Sequence, residues 1–522
     1  MQNDERTEAV ETEVAIVGSG FGGLGMAIRL RREGIDDFVV LERAGDVGGT
    51  WRDNTYPGCA CDVQSHLYCF SFALNPEWSR SYSGQPEIQA YLQRIARDYG
   101  VLPRVRFHHE VTAAAWDERA RRWRIETSAG PFIARFLVMG TGALSEPLIP
   151  RFPGLETFRG ATFHSARWDH GFDLRAKRVA VIGTGASAIQ FVPEIQPVVE
   201  RLHLFQRTAP WLLPRFERRL TATGRRLFRR VPALQKLLRG MIYLAREAFL
   251  PAFRHPRAMG LVERAALRHL RRHVADPALR EKLTPGFRLG CKRVLLSNEY
   301  LPAIVRPNVE VVTDAIAEVR PGSVVTTDGV ERPVDAIVFG TGFRPTDPPL
   351  APHVRGRGGR SLAEAWEGSP RAHVGTSVAG FPNLFLLLGP NTGLGHTSVV
   401  YMIEAQIEHV ARALRHLRSV GGAALEPTPE AQAAFVADVD RRMRGSVWTS
   451  GGCASWYLDA TGRNSTLWPD FTWRFRRRAV RFRPEEYAVI PPAEGEAPPP
   501  AEIASPAAAM ESAPVRKGAM RP

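Results

Sequence analysis

The chain has 522 residues, too many for one simple core, so several domains are expected. With 44% hydrophobic and 24% charged residues it has the composition of an ordinary globular protein, which excludes collagenous and wholly disordered classes. The net charge of +15 raises the question of a nucleic acid, but sixteen Lys or Arg against three Glu fall between Arg215 and Arg272. That is a local surface feature, and no nucleic-acid partner is expected. Met1 to Glu13 is acidic and polar without an apolar core, so no signal peptide is read. No uninterrupted run of about 18 apolar residues suggests a membrane span, and a cytoplasmic protein is expected. Five cysteines (Cys59, Cys61, Cys69, Cys291, Cys453) make no disulfide framework and are expected as reduced thiols. No metal site is expected.

In chain order, the first informative stretch is a β-branched strand, Val14 to Val17, followed by the glycine turn Gly18-Ser19-Gly20-Phe21-Gly22-Gly23 and a helical pattern. A second strand, Val39-Val40-Leu41, ends in Glu42. Glycines at 18, 20 and 23 let backbone approach a pyrophosphate, and the helix N-terminus directs N–H groups and positive dipole at it. Glu42 stands where a carboxylate accepts hydrogen bonds from ribose hydroxyls. From Phe132 an apolar strand returns to Gly140-Thr141-Gly142.

The same grammar recurs at Val179 to Ile182 and Gly183-Thr184-Gly185-Ala186-Ser187-Ala188. Here the next strand, His203-Leu204-Phe205, ends in Gln206-Arg207-Thr208 with no acid. Arg207 offers an always-charged planar fork for a 2′-phosphate, with the Thr208 hydroxyl beside it, so this site is read as NADPH rather than NADH. Gly183, Gly185 and Ser187 form the phosphate turn. A second returning strand, Asp335 to Gly342, and Pro-rich stretches at Glu146–Pro153 and Arg344–Pro352 read as crossings between domains.

The expected fold is therefore α/β, with two Rossmann-like dinucleotide-binding domains, for FAD and NADP, and a helical insertion in the NADP domain. The division reads 10–150 for the first FAD segment and 151–216 for the first NADP segment. The insertion follows at 217–283, then 284–340 for NADP and 341–484 for FAD, with a disordered Pro/Ala/Glu tail over 485–522. In the insertion Phe228, Val231, Leu234, Leu238 and Met241 recur at helical spacing. They are expected to pack on the domain and leave the arginines in water. Attachment to anionic lipid through this segment is the sharper alternative.

Three stretches then carry a family resemblance. Phe158, Gly160, His164, Trp168 and Asp169 stand at the spacing of the Baeyer–Villiger monooxygenase fingerprint. Gly49, Thr50, Trp51, Tyr56, Pro57, Gly58 and Asp62 match that family's second pattern. Gly290-Cys291-Lys292-Arg293 matches its cationic one. The resemblance spans about Val14 to Phe475. It implies FAD and NADPH as cofactors and dioxygen and a small ketone as substrates, with a sulfide as a further substrate class. It also implies insertion of oxygen through a C4a-peroxyflavin anion, giving an ester or lactone.

By the same resemblance Lys292 joins Arg207 on the 2′-phosphate, and Arg293 reaches flavin and nicotinamide with Asp62 as its carboxylate partner. Thr50 and Trp51 lie at the cofactor. His164 sits at the domain junction, Trp168 packs there, and Trp456 rides on a loop closing over NADP and substrate. Gly389 to Gly393 forms a turn at the flavin. Cys59-Ala60-Cys61 has the wrong spacing for a flavin disulfide reductase and is read as structural. The rival reading is an N- or S-oxygenating flavin monooxygenase; a flavoprotein without turnover is a third.

Overall fold

The computed structural model describes residues 8–492. Val10–Val17 lies between the parallel strands Phe38–Leu41 and Phe132–Met139, and its second half, Val14 to Val17, is buried, which is why that half reads as a continuous apolar run. The sheet continues from Phe132–Met139 through the antiparallel strands Arg122–Thr127 and Val111–Asp117 to Val354–Arg355. Beyond Phe38–Leu41 it ends on Val105–Arg106. Leu384–Leu386 also pairs with Phe132–Met139. Residues more than 200 positions apart thus build one sheet, and the helix Val399–Ser419 packs on the helix Phe21–Arg32 over one of its faces.

A second sheet of five parallel strands has the order Val309–Val312, Arg201–Phe205, Arg178–Ile182, Ala336–Phe339, Ala161–His164. Its central strand, Arg178–Ile182, leads into the second glycine turn. The two connecting stretches run side by side: Leu148 N–H donates to Gly342 O at 2.8 Å and Arg344 N–H to Glu146 O at 3.2 Å. The hinge between the sheets is therefore double-stranded.

Helices Ala222–Arg230, Pro232–Glu247, Leu250–Arg254, Pro256–His273 and Pro277–Lys282 form the insertion. Its packing meets the expectation only in part: Arg226, Arg229 and Arg230 are in water, but so is most of the apolar series. Val231, Leu234 and Met241 face solvent, and only Phe228 and Leu238 are half-buried. Two arginines face inward instead: Arg239 donates through Nη1 to the carbonyls of His66, Leu67 and Cys69, and Arg246 donates through Nε to Gln64. The irregular 62–69 loop has carbonyls that no strand or helix satisfies, and a guanidinium supplies the missing donors.

Two further expectations need correction. Cys291 and Cys453, 162 residues apart in sequence, are disulfide-bonded rather than reduced; Cys59, Cys61 and Cys69 are free and buried. The pairing was invisible in sequence because only the fold brings the two loops together. The stretch expected to be disordered from 485 begins with order: Tyr487–Ile490 pairs antiparallel with Ala424–Pro427. The remainder of that stretch, 493–522, lies outside the described residues.

Burial fixes how stability depends on pH. The rings of His66, His164, His373 and His409 are buried, and desolvation lowers each from 6.5 to about 4. Between those values the unfolded chain binds protons that the folded chain refuses. Stability is thus complete above pH 6.5 and is lost as pH falls toward 4. Up to four such protons give a slope of about 5 kcal/mol per pH unit. Thermal unfolding midpoints should fall steeply from pH 7 to pH 5; a flat profile would show these rings to be accessible.

Candidate active site

The first glycine turn is shaped to admit a ligand's phosphates. Gly18 has φ +92°, and a Cβ there would lie 2.8 Å from Gly140 O. The Gly20 and Gly49 backbones touch, so two turns face each other at the N-terminus of Phe21–Arg32. Glu42 is buried and accepts from Ser19 N–H at 3.0 Å, Ser19 Oγ at 2.6 Å, Ala44 N–H at 3.0 Å and Arg52 at 2.7 Å. Trp51 is buried and donates to Tyr68 Oη at 3.1 Å, while Thr50 beside it is exposed.

At the second turn Gly183 is held against Gly340, and the helix Ala188–Ile195 begins after Ser187. Arg207, Thr208, Lys282, Phe287, Lys292 and Ala454 line a cavity of about 390 Å³. Lys292 Nζ donates to Thr208 Oγ1 at 3.0 Å and lies 5.0 Å over the Phe287 ring. Burial and then the nearby Arg207 lower the Lys292 ammonium. No Asp or Glu lines the cavity. Cations held together without an acid are the electrostatic complement of a multiply charged anion, which is what a 2′-phosphate presents.

Arg293 and Asp62, 231 positions apart in sequence, form an ion pair. Nε donates to Oδ2 at 2.5 Å, Nη2 to Oδ1 at 2.7 Å, and Nη1 to Leu394 O at 3.2 Å. This two-point geometry fixes the guanidinium plane. Burial alone would raise the Asp62 carboxyl, but Arg293 holds it below its ordinary value, and the pair keeps Arg293 cationic. Leu394 belongs to the loop following Gly389 to Gly393, so that turn does reach the cation. Trp456 is exposed and lies against Tyr457, on a loop that the Cys453–Cys291 bond ties to the Lys292-Arg293 stretch.

The fingerprint residues lie at the junction and not at the ion pair. Gly160 is required because a Cβ would lie 2.3 Å from Asp335 O and 2.6 Å from the Phe158 ring. His164 ends the edge strand; its Nδ1 accepts from Ala166 N–H at 3.1 Å, and burial keeps the ring neutral. Trp168 packs against Phe163 and Phe191 and lines a 460 Å³ cleft with Arg43, Arg52 and Phe343. Asp169 caps an exposed turn through Gly171 N–H.

With this geometry in place, the comparisons with known proteins are decisive. A profile of the pyridine nucleotide-disulphide oxidoreductase family matches residues 15–226. A Baeyer-Villiger monooxygenase of Streptomyces coelicolor is 55% identical over 92% of this chain and 93% of its own. Another, from Pseudomonas aeruginosa, is 51% identical over 91% of each. The chain belongs to the Baeyer–Villiger monooxygenase family. Among solved structures, an oxidized steroid monooxygenase bound to NADP superposes with a TM-score of 0.83 at 32% identity, over 92% of this chain and all of the other.

Three residues of the monooxygenase that the sequence did not single out also meet the candidate site residues or the junction. Gln190, on the second nucleotide helix, accepts from Tyr56 Oη at 2.9 Å and donates to Ala60 O at 2.9 Å, locking the two nucleotide units together. Arg246 of the insertion reaches Asp62 O at 3.4 Å. Tyr457 is buried with an unpartnered hydroxyl, raised to about 12 by burial although Arg293 pulls it down. No motif announced these three. The free thiols beside this monooxygenase site are not thiolates: burial pushes Cys59 up to about 11 and raises Cys61 further. That agrees with a structural role for both.

Proposed function

We propose that FAD and NADPH bind at the first and second glycine turns and that Arg293 is the cation beside which oxygen is inserted next to a ketone carbonyl. The product is an ester or lactone. The observation that carries this is the two-point, half-buried Arg293–Asp62 pair, which joins stretches 231 positions apart in sequence. Gly18, Gly20, Gly23 and Glu42 hold FAD, with Thr50 and Trp51 beside it. Gly183, Gly185 and Ser187 hold the NADPH pyrophosphate. Arg207, Thr208 and Lys292 take the 2′-phosphate. The domain division 10–150, 151–216, 217–283, 284–340 and 341–484 follows from the same assignment, and the protein is placed in the cytoplasm.

Bound FAD and NADPH supply dioxygen activation and the two electrons. The chain's own residues do the rest. Arg293 places fixed positive charge where negative charge develops on oxygen, in a site of low dielectric where such charge acts strongly. Asp62 orients the guanidinium and is a positioning residue. Its carboxylate does not titrate near neutral pH, so it neither takes nor gives a proton there. His164 and Trp168 set the junction, and Trp456 and Tyr457 cover the site.

Purified holoenzyme should add one oxygen atom to cyclic, linear or aryl ketones under NADPH and air, read as a mass gain. An aryl sulfide belongs in the same screen as the second substrate class. NADPH oxidation without oxygen gain in any ketone would defeat the reading.

A further inference from the structure

The helix Pro232–Glu247 is amphipathic in the wrong sense for a helix covered only by water. Leu234, Leu237, Met241 and Leu244, spaced three and four apart, lie on its solvent side with Ala233, Ala245 and Ala248. Leu237 is 60%, Met241 53% and Leu244 67% exposed. Three of its four charged residues, Arg239, Arg246 and Glu247, are on the opposite side, engaged with the Asp62 loop and with Thr472; the fourth, Lys236, is exposed. That inner side is taken, so nothing further in the described fold covers the outer one. Leu227 on the preceding helix and Phe216, 84% exposed, are further exposed apolar side chains of the same segment. A monomer in water does not keep such a stripe without use for it.

We propose that this face is a docking surface for an anionic lipid bilayer. The argument for lipid is charge. Arg218, Arg219, Arg226, Arg230 and Lys236 are exposed and form no ion pair among the described residues. No acid between Arg215 and Arg272 is exposed; Glu217, Glu247 and Glu263 are all at least half-buried. An apolar stripe edged by cations is what lies in the headgroup region of an anionic membrane. A second copy of the chain fits less well, because a twofold contact would bring the same cations together. No helix among the described residues is long and apolar enough to cross a membrane, so the contact is peripheral.

Flotation of the full-length holoenzyme with defined vesicles tests this. It should float with vesicles containing phosphatidylglycerol at low salt and be released at high salt. It should bind pure phosphatidylcholine more weakly. Leu237→Glu/Leu244→Glu should abolish flotation. Arg226→Gln/Arg230→Gln/Lys236→Gln should weaken it roughly 100-fold, at about fivefold per cation. All these side chains are exposed, so both variants should fold and keep full activity on a water-soluble ketone. Failure to float with the anionic vesicles, or undiminished flotation of the double-Glu variant, would overturn the proposal. So would a wild-type dimer that the double-Glu variant converts to monomer.

Discussion

Arg293→Ala should lower ester or lactone formation by about 10²–10³-fold, the usual cost of removing one oxyanion-stabilising donor. NADPH oxidation should continue in the same variant. The two outcomes separate because Arg207, Lys292 and both glycine turns are untouched by the substitution, so cofactor binding and hydride acceptance survive. Electrons then leave as hydrogen peroxide instead of entering product. The variant also leaves the Asp62 carboxylate without its partner. Breaking a buried pair costs about 3–5 kcal/mol, but each side chain here keeps 28% exposure, and solvent screening reduces that cost. A fall in folded protein could still mimic a fall in turnover. Arg293→Ala/Asp62→Asn removes the orphaned charge and should restore stability without restoring product. Arg293→Lys keeps the charge but loses the two-point fork, so it should retain only part of the activity. Product formed by Arg293→Ala at the wild-type rate would remove Arg293 from its role.

Both nucleotide turns were legible in sequence because each is a local device. Strand, glycine turn and helix follow one another within about 20 residues, and the acid or arginine stands at the end of the next strand. Gly160 was legible only through the family fingerprint, since the Asp335 carbonyl that demands a glycine there comes from a stretch far along the chain. What sequence could not give was contact between distant loops. The Cys291–Cys453 bond, the Gln190 clasp on Tyr56 and Ala60, and Arg246 beside Asp62 each join stretches 130 or more residues apart. The insertion was misread for a different reason. A helical period of apolar residues says that one face is apolar, but not which face meets the protein. Here the 62–69 carbonyls demanded donors, and the arginines won the inner side.

The second large effect concerns the cavity of Arg207 and Lys292. Arg207→Ala and Lys292→Ala should each lower kcat/KM for NADPH by about 10–100-fold, the worth of a charge-assisted hydrogen bond to phosphate. The value for NADH, which has no 2′-phosphate to lose, should hardly change. The two losses should not multiply fully. Each cation raises the cost of keeping the other charged, which adds to burial in holding the Lys292 ammonium below its ordinary value. Removing Arg207 relieves that repulsion and raises Lys292, so the remaining ammonium binds phosphate better than it did as one of two. The loss should fall in KM and not in kcat, because Arg293, the residue after Lys292, keeps its grip on Asp62 and Leu394. Lys292→Ala losing kcat at saturating NADPH would instead place Lys292 with Arg293 in the chemistry. Equal losses for NADPH and NADH would show that neither residue reads the 2′-phosphate.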